Sequence, residues 1–148
     1  MIITRDLLPR LSCHRKKMEN WRVLLAESHT DYHQDTVKVL TGMPGMNLVA
    51  KVANGWDVMF TSAQLNPDII LLDYNLPGLS GLEVTNLIRR GLPLASIIIL
   101  LDNDDEEKLK AVEHCGAWGW LVKSRMAQEL PPLLGKLEEV KRGHNITT

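Results

Sequence analysis

The chain has 148 residues, the size of one domain, long enough to bury about two-thirds of its unfolded surface without a disulfide or a structural metal. Seventeen lysines and arginines against 18 aspartates and glutamates give a formal charge of -1, which excludes a general electrostatic pull toward nucleic acid or anionic membrane. Cys13 and Cys115 have neither zinc-site spacing nor the density of a secreted scaffold, and no apolar run approaches the ~20 residues of a membrane span. A cytoplasmic chain that binds no nucleic acid through this segment and no membrane is therefore expected.

Residues 1–20 lack any periodic pattern and are expected to be a flexible extension, with Met18 standing directly before the first apolar run. From there, short apolar runs alternate with stretches of helical period, as in repeated βα units around a parallel sheet. Strands are expected at 22–26, 47–53, 68–72, 96–101 and 119–122. DIILL and IIIL are apolar without alternation, which predicts burial on both faces. Tyr32, Thr36, Val39 and Leu40 mark the first helix, and Leu82, Thr85, Leu87 and Ile88 a later one. Gly42, Gly91 and Gly116 stand where left-handed caps would end helices. The acids Asp104 to Glu107 open the fourth helix favourably for its dipole. A last helix is expected over 127–142, with an effective start at Pro131 because Pro131 and Pro132 are tolerated only near its beginning. The domain would then span 21–142, leaving 143–148 as a tail or the start of a linker.

In an open parallel sheet, ligands and chemistry sit beyond the carboxyl ends of the strands, where the strand order reverses. Those positions hold Glu27 and Ser28, Asp73, Leu101 and Asp102, and Lys123. Carboxylates and an ammonium converging on one crevice suit a cation-assisted phosphate site, with Asp73 as nucleophile. His29 and His33 flank the crevice, but no third ligand is evident in the chain, so they are read as structural or surface residues.

PDIILLDYNLPGLSGLE (67–83) resembles the phosphoacceptor strand and loop of response-regulator receiver domains, GAWGWLVKS (116–124) resembles their fifth strand, and RVLLAESH (22–29) is similar to the opening strand of the NarL/LuxR-type subfamily. The resemblance implies a CheY-like, flavodoxin-like α/β fold: a doubly wound five-stranded parallel sheet of order 2-1-3-4-5 with helices on both faces. It also implies that Asp73 accepts the phosphoryl group, that Lys123 contacts its oxygens, and that Pro77 shapes the loop. Mg²⁺ would be held by Glu27, Asp73 and the Asn75 carbonyl.

Several positions depart from that pattern. Ser28 replaces a second acid, so Mg²⁺ binding should be weak. Leu101 replaces the hydroxyl residue of the switch, and Trp120 its coupled aromatic. Asp102 stands where a small residue is usual, and Trp118 where a polar one is. Large aromatics favour interface centres, so Trp118 marks an expected surface for homodimerisation through the fourth helix, fifth strand and fifth helix, unless it folds onto its own helix.

The function implied is a phosphorelay receiver served by a histidine kinase or phosphotransfer protein, with output by protein association. A DNA-binding domain beyond residue 148 is compatible with the subfamily. The alternatives are a phosphorylation-independent pseudo-receiver adaptor and a Mg²⁺-dependent phosphohydrolase. The latter is disfavoured because Asn75 stands two residues after Asp73, where a general acid would be needed.

Overall fold

The computed structural model describes residues 20–147, so the expectation for residues 1–19 lies outside the described residues. The elements run β1 (Trp21–Ala26), α1 (Thr30–Thr41), β2 (Met46–Val52), α2 (Gly55–Leu65), β3 (Ile69–Asp73), α3 (Gly81–Gly91), β4 (Ser96–Leu101), α4 (Glu106–Cys115), β5 (Gly119–Val122) and α5 (Met126–Thr147). All strand pairs are parallel and the sheet order is β2-β1-β3-β4-β5, as the resemblance implied.

The unbroken apolar runs explain the layering. Because successive strand residues point to opposite faces, each run supplies two cores at once. Val23, Leu25, Ile69, Leu71, Ile98, Leu100 and Leu121 face α1 and α5, meeting Leu40, Leu130, Leu134 and Leu137. Leu24, Ile70, Leu72, Ile97, Ile99 and Leu101 face α2, α3 and α4, meeting Val58, Val84, Ile88 and Val112. Each such side chain taken out of water stabilises the fold by about 1.5–3 kcal/mol before the ordering entropy is subtracted. The indole of Trp21 donates to Glu138 Oε2 at 2.8 Å, tying the start of β1 to α5.

Local chemistry sets the helix ends. Asn54 caps α2 by accepting from the Asp57 amide, and Asn66, left-handed at φ 49°, ends that helix. Ser80 and Glu83 form a reciprocal capping box on α3. Asp105 caps α4, with Glu106 and Glu107 in its first turn, as the acidic run predicts.

The structure corrects several boundaries. Of the three glycines expected as left-handed caps, only Gly116 is one, at φ 88°. Gly42 is right-handed, and Gly91 lies inside α3, which Leu92 ends. Leu87 is exposed, since Val84, Thr85 and Ile88 carry the buried stripe of α3. Strand β3 begins and ends one residue later than expected, making Asp73 its last residue. The last helix starts at Met126, out of a 3-10 turn over Lys123–Arg125, and contains Pro131 and Pro132. Met126 and Leu130, both buried, hold the turn ahead of the prolines to the core. Residues 143–147, expected as tail or linker, continue that helix. No helix among the described residues is long and apolar enough to cross a membrane.

Candidate functional site

Strands β1 and β3 are neighbours whose following helices lie on opposite faces, so the crevice opens at their carboxyl ends. Glu27 follows β1, with its amide bonded to the Val52 carbonyl at 3.0 Å. Asp73 closes β3, and the next amide, of Tyr74, bonds to Leu100 O at 2.9 Å. Lys123 leaves β5 on the first residue of the 3-10 turn. Each of these three residues is thus fixed by sheet backbone at its root.

The three side chains meet. Lys123 Nζ lies 2.9 Å from Glu27 Oε1, 3.0 Å from Asp73 Oδ1 and 3.4 Å from Asp102 Oδ1. These are ion pairs at contact distance whose angles fall outside those of an aligned hydrogen bond. The side chains of Glu27 and Lys123 are wholly buried and Asp73 has no exposed surface, whereas Asp102 sits on the rim. Lys123 also lies over the Tyr32 ring, 5.1 Å from its centroid.

The far oxygens have different neighbours. Glu27 Oε2 accepts the His29 backbone N–H at 3.0 Å and stands 3.2 Å from His29 Nδ1. Asp73 Oδ1 accepts the Asn75 amide at 3.0 Å, while buried Asp73 Oδ2 has no hydrogen-bond partner among the described residues.

The charges shift one another. Burial pushes the Asp73 carboxyl up to about 6 and the neighbouring Glu27 charge adds to this, against the opposing Asn75 amide and Lys123. Burial pushes Glu27 up as well, but its contacts with Lys123 and the His29 amide outweigh this and hold it below its ordinary value. Burial would lower Lys123, yet Glu27 and Asp73 raise it, so the ammonium stays charged. The crevice therefore holds a buried carboxylate, ionised at neutral pH, beside a fixed positive charge.

Beyond Asp73 lies a cavity of about 530 Å³, bordered by Ser28, Tyr74, Asn75, Pro77, Ser80 and Leu82. The loop bounding it requires glycine twice. Gly78 has φ +84° and packs against the Trp56 indole, and a β-carbon on Gly81 would come within 2.5 Å of the Asp73 carbonyl oxygen and 3.0 Å of Tyr74 Cα. Both obstacles to Gly81 are backbone, so Gly81→Ala should cost about 1–3 kcal/mol in urea unfolding, the usual penalty of overpacking.

The other sequence-derived candidates are placed as follows. Ser28 is exposed at the crevice mouth. The Asn75 side chain donates to Asp102 Oδ2 at 3.1 Å. Leu101 is fully buried, and half-buried Trp120 packs against the same apolar cluster. Trp118, also half-buried, packs against the opposite cluster, where Leu133 joins it. Two contacts escaped the sequence reading. Asp102 reaches in from the rim to Lys123 and Asn75, and His29 joins Glu27 and Asp73 in a group whose ligand-bearing atoms all lie within 4.8 Å of one another. The signal for the second was the two-residue step from Glu27 to His29, short enough for both side chains to reach one point.

Residues 23–134 match the family described as the response regulator receiver domain. The chain is 30% identical over 109 residues to the transcriptional regulatory protein LiaR of Bacillus subtilis, covering 74% of this chain and 52% of that one. It is 33% identical over 103 residues to the nitrate/nitrite response regulator protein NarP of Escherichia coli, covering 70% and 48%. The chain thus spans about half the length of these curated relatives. Among solved structures, the RcsB response regulator of Salmonella typhimurium superposes with a TM-score of 0.77 at 25% identity, covering 82% of this chain and 61% of that one.

Proposed function

Because this chain belongs to the response regulator receiver domain family, we propose that Asp73 is its phosphoacceptor, charged by a histidine kinase or phosphotransfer protein, and that the switch works in the cytoplasm. A receiver of this kind in two-component signalling is not an enzyme apart from its own phosphoryl transfer. In that transfer an Asp73 oxygen attacks phosphorus, the bond from phosphorus to the donor's imidazole nitrogen breaks, and the imidazole leaves with its electron pair. Lys123 then contacts the phosphoryl oxygens. The observation that carries this reading is the buried Asp73 carboxylate, its Oδ1 held 3.0 Å from the Lys123 ammonium and its Oδ2 without a hydrogen-bond partner among the described residues.

The family implies a divalent cation, and the donor set fits Mg²⁺ only in part. Glu27, Asp73 and the Asn75 carbonyl would hold it, and when bound it neutralises charge on the transferring group. With Ser28 in place of a third carboxylate, the Mg²⁺ affinity is low. Asp102 competes with the incoming group for Lys123, which slows transfer further.

The switch is altered as well. Leu101 and Trp120 share an apolar cluster, so the link between crevice and distal surface is packing rather than a hydroxyl's hydrogen bond. The half-exposed indoles of Trp118 and Trp120 support output by association, as a homodimer through the face of α4, β5 and α5. The matching relatives are response regulators, which favours this reading over a phosphorylation-independent adaptor or a phosphohydrolase.

The test is acetyl phosphate with Mg²⁺, followed by intact-mass spectrometry. A single, slowly formed phosphoryl adduct is expected, absent in Asp73→Ala and formed at least about tenfold faster in Ser28→Asp, since outer-shell partners alone carry effects of that size. An adduct that persists in Asp73→Ala, or no adduct even in Ser28→Asp, would refute the assignment.

A further inference from the structure

The two buried carboxylates are divided between two neighbours. Lys123 faces Glu27 Oε1 and Asp73 Oδ1. That leaves Glu27 Oε2 beside His29, and Asp73 Oδ2 buried with no partner among the described residues. A buried acceptor with no donor among the described residues, in a site whose lysine faces the other oxygens, calls for a cation.

The spacing fits one. Two donor atoms bound about 2.1 Å from a common ion at tetrahedral to octahedral angles stand about 3.0–3.4 Å apart. Glu27 Oε2 and His29 Nδ1 are 3.2 Å apart, and the ligand atoms of Glu27, His29 and Asp73 all lie within 4.8 Å of one another. The His29 side chain is 59% exposed, so its ring can turn to close the remaining distance.

Imidazole nitrogen is a poor partner for Mg²⁺, which demands hard oxygen, and a good one for the later first-row dications. The residue that would have favoured Mg²⁺, a second acid, is Ser28. We propose that His29 is the third protein ligand of the crevice, with Glu27 and Asp73, and that the site takes a first-row transition-metal dication in preference to Mg²⁺. This rests on the reading of the crevice as the phosphoacceptor site.

Titrating the full chain with Co²⁺ and, separately, Mg²⁺ tests this, with bound Co²⁺ followed by its visible absorption and both ions by tryptophan fluorescence. Co²⁺ should bind at least about tenfold more tightly than Mg²⁺. His29→Ala should remove that advantage while leaving Mg²⁺ binding as it was, and His29→Asp should raise Mg²⁺ affinity at the expense of Co²⁺. A merely structural His29 would not reverse the ion preference. Equal affinities in the wild type, or an unchanged Co²⁺ affinity in His29→Ala, would overturn the proposal and mark the 3.2 Å contact as an ordinary hydrogen bond. The labelling assay separates the two readings. An Asp73 adduct in Mg²⁺ without any Co²⁺ preference sinks the third ligand alone. A His29-dependent Co²⁺ preference with no adduct under either ion supports the metal site and sinks the phosphoacceptor.

Discussion

Replacing Lys123 with methionine should lower the unfolding free energy at neutral pH by about 3–5 kcal/mol, the usual result of removing one partner from a buried ion pair. The lysine side chain is wholly buried, and its loss leaves Glu27 and Asp73 facing each other without a counter-charge. Methionine keeps most of the volume, so the change is electrostatic rather than a cavity. For a domain of this size the melting temperature should fall by on the order of 10 °C. Because the lysine's own pKa is raised, its contribution is complete at any pH below its ordinary value and is lost only in strong alkali. Acidification should therefore narrow the gap between variant and wild type from the carboxylate side, as the unpaired acids take up protons. Thermal unfolding followed by circular dichroism across pH 4–8 is the measurement. A loss below about 1 kcal/mol would mean that water reaches the two acids and that the crevice is not sealed.

The converse substitution should stabilise. The Asp73 carboxyl ordinarily titrates at 3.8 and is raised to about 6 in the fold, first by burial. Below the lower value it is protonated in both states and contributes nothing. As pH climbs from there to the upper value, the unfolded chain ionises before the folded one does, and folded stability declines. Above it the full penalty stands, roughly 3 kcal/mol at about 1.4 kcal/mol per unit. Asp73→Asn removes that penalty and retains the Lys123 contact with Glu27. Its stability advantage should be small near pH 4, grow up to about pH 6 and then level off, as urea midpoints would reveal. An advantage independent of pH would show that the aspartate is not the group titrating. The residue assigned to receive the phosphoryl group thus costs the fold stability, as expected where chemistry rather than packing dictates a side chain.

Most of the architecture could be read from the chain because unbroken runs such as DIILL and IIIL leave few alternatives to buried parallel strands, and such strands predict where a site must lie. Glu27, Asp73 and Lys123 were legible for that reason: each follows or ends a strand, so backbone alone brings them together. What lay beyond reach depended on side-chain direction. Nothing in the order of residues tells Asp102 to lean back on Lys123 and Asn75, or His29 to bend toward Glu27, because both are chosen by charges that become neighbours only on folding. Helix ends failed for a different reason. Gly91 and Gly42 are permitted in left-handed turns but not compelled, and Asn66 took that role for α2 where no glycine was present. Leu87 was misread because α3 buries a narrow stripe through Val84, Thr85 and Ile88, which the denser apolar spelling of the segment obscures.

The paired prolines of α5 set an asymmetry in time. Neither Pro131 nor Pro132 carries an N–H, so the carbonyls of Ala127 and Gln128 have no partner four residues on, and the opening turn is joined to the rest of the helix mainly by the burial of Met126 and Leu130. Lys123 hangs from the 3-10 turn just ahead of it, whereas Asp73 is rooted in the fully buried middle strand. Of the two charges, the ammonium is on the looser tether. Local opening of that first turn breaks few backbone bonds and would carry the lysine away from the acids while the sheet stays whole. Any opening of the pair would thus begin on the lysine's side, with the aspartate held in the sheet.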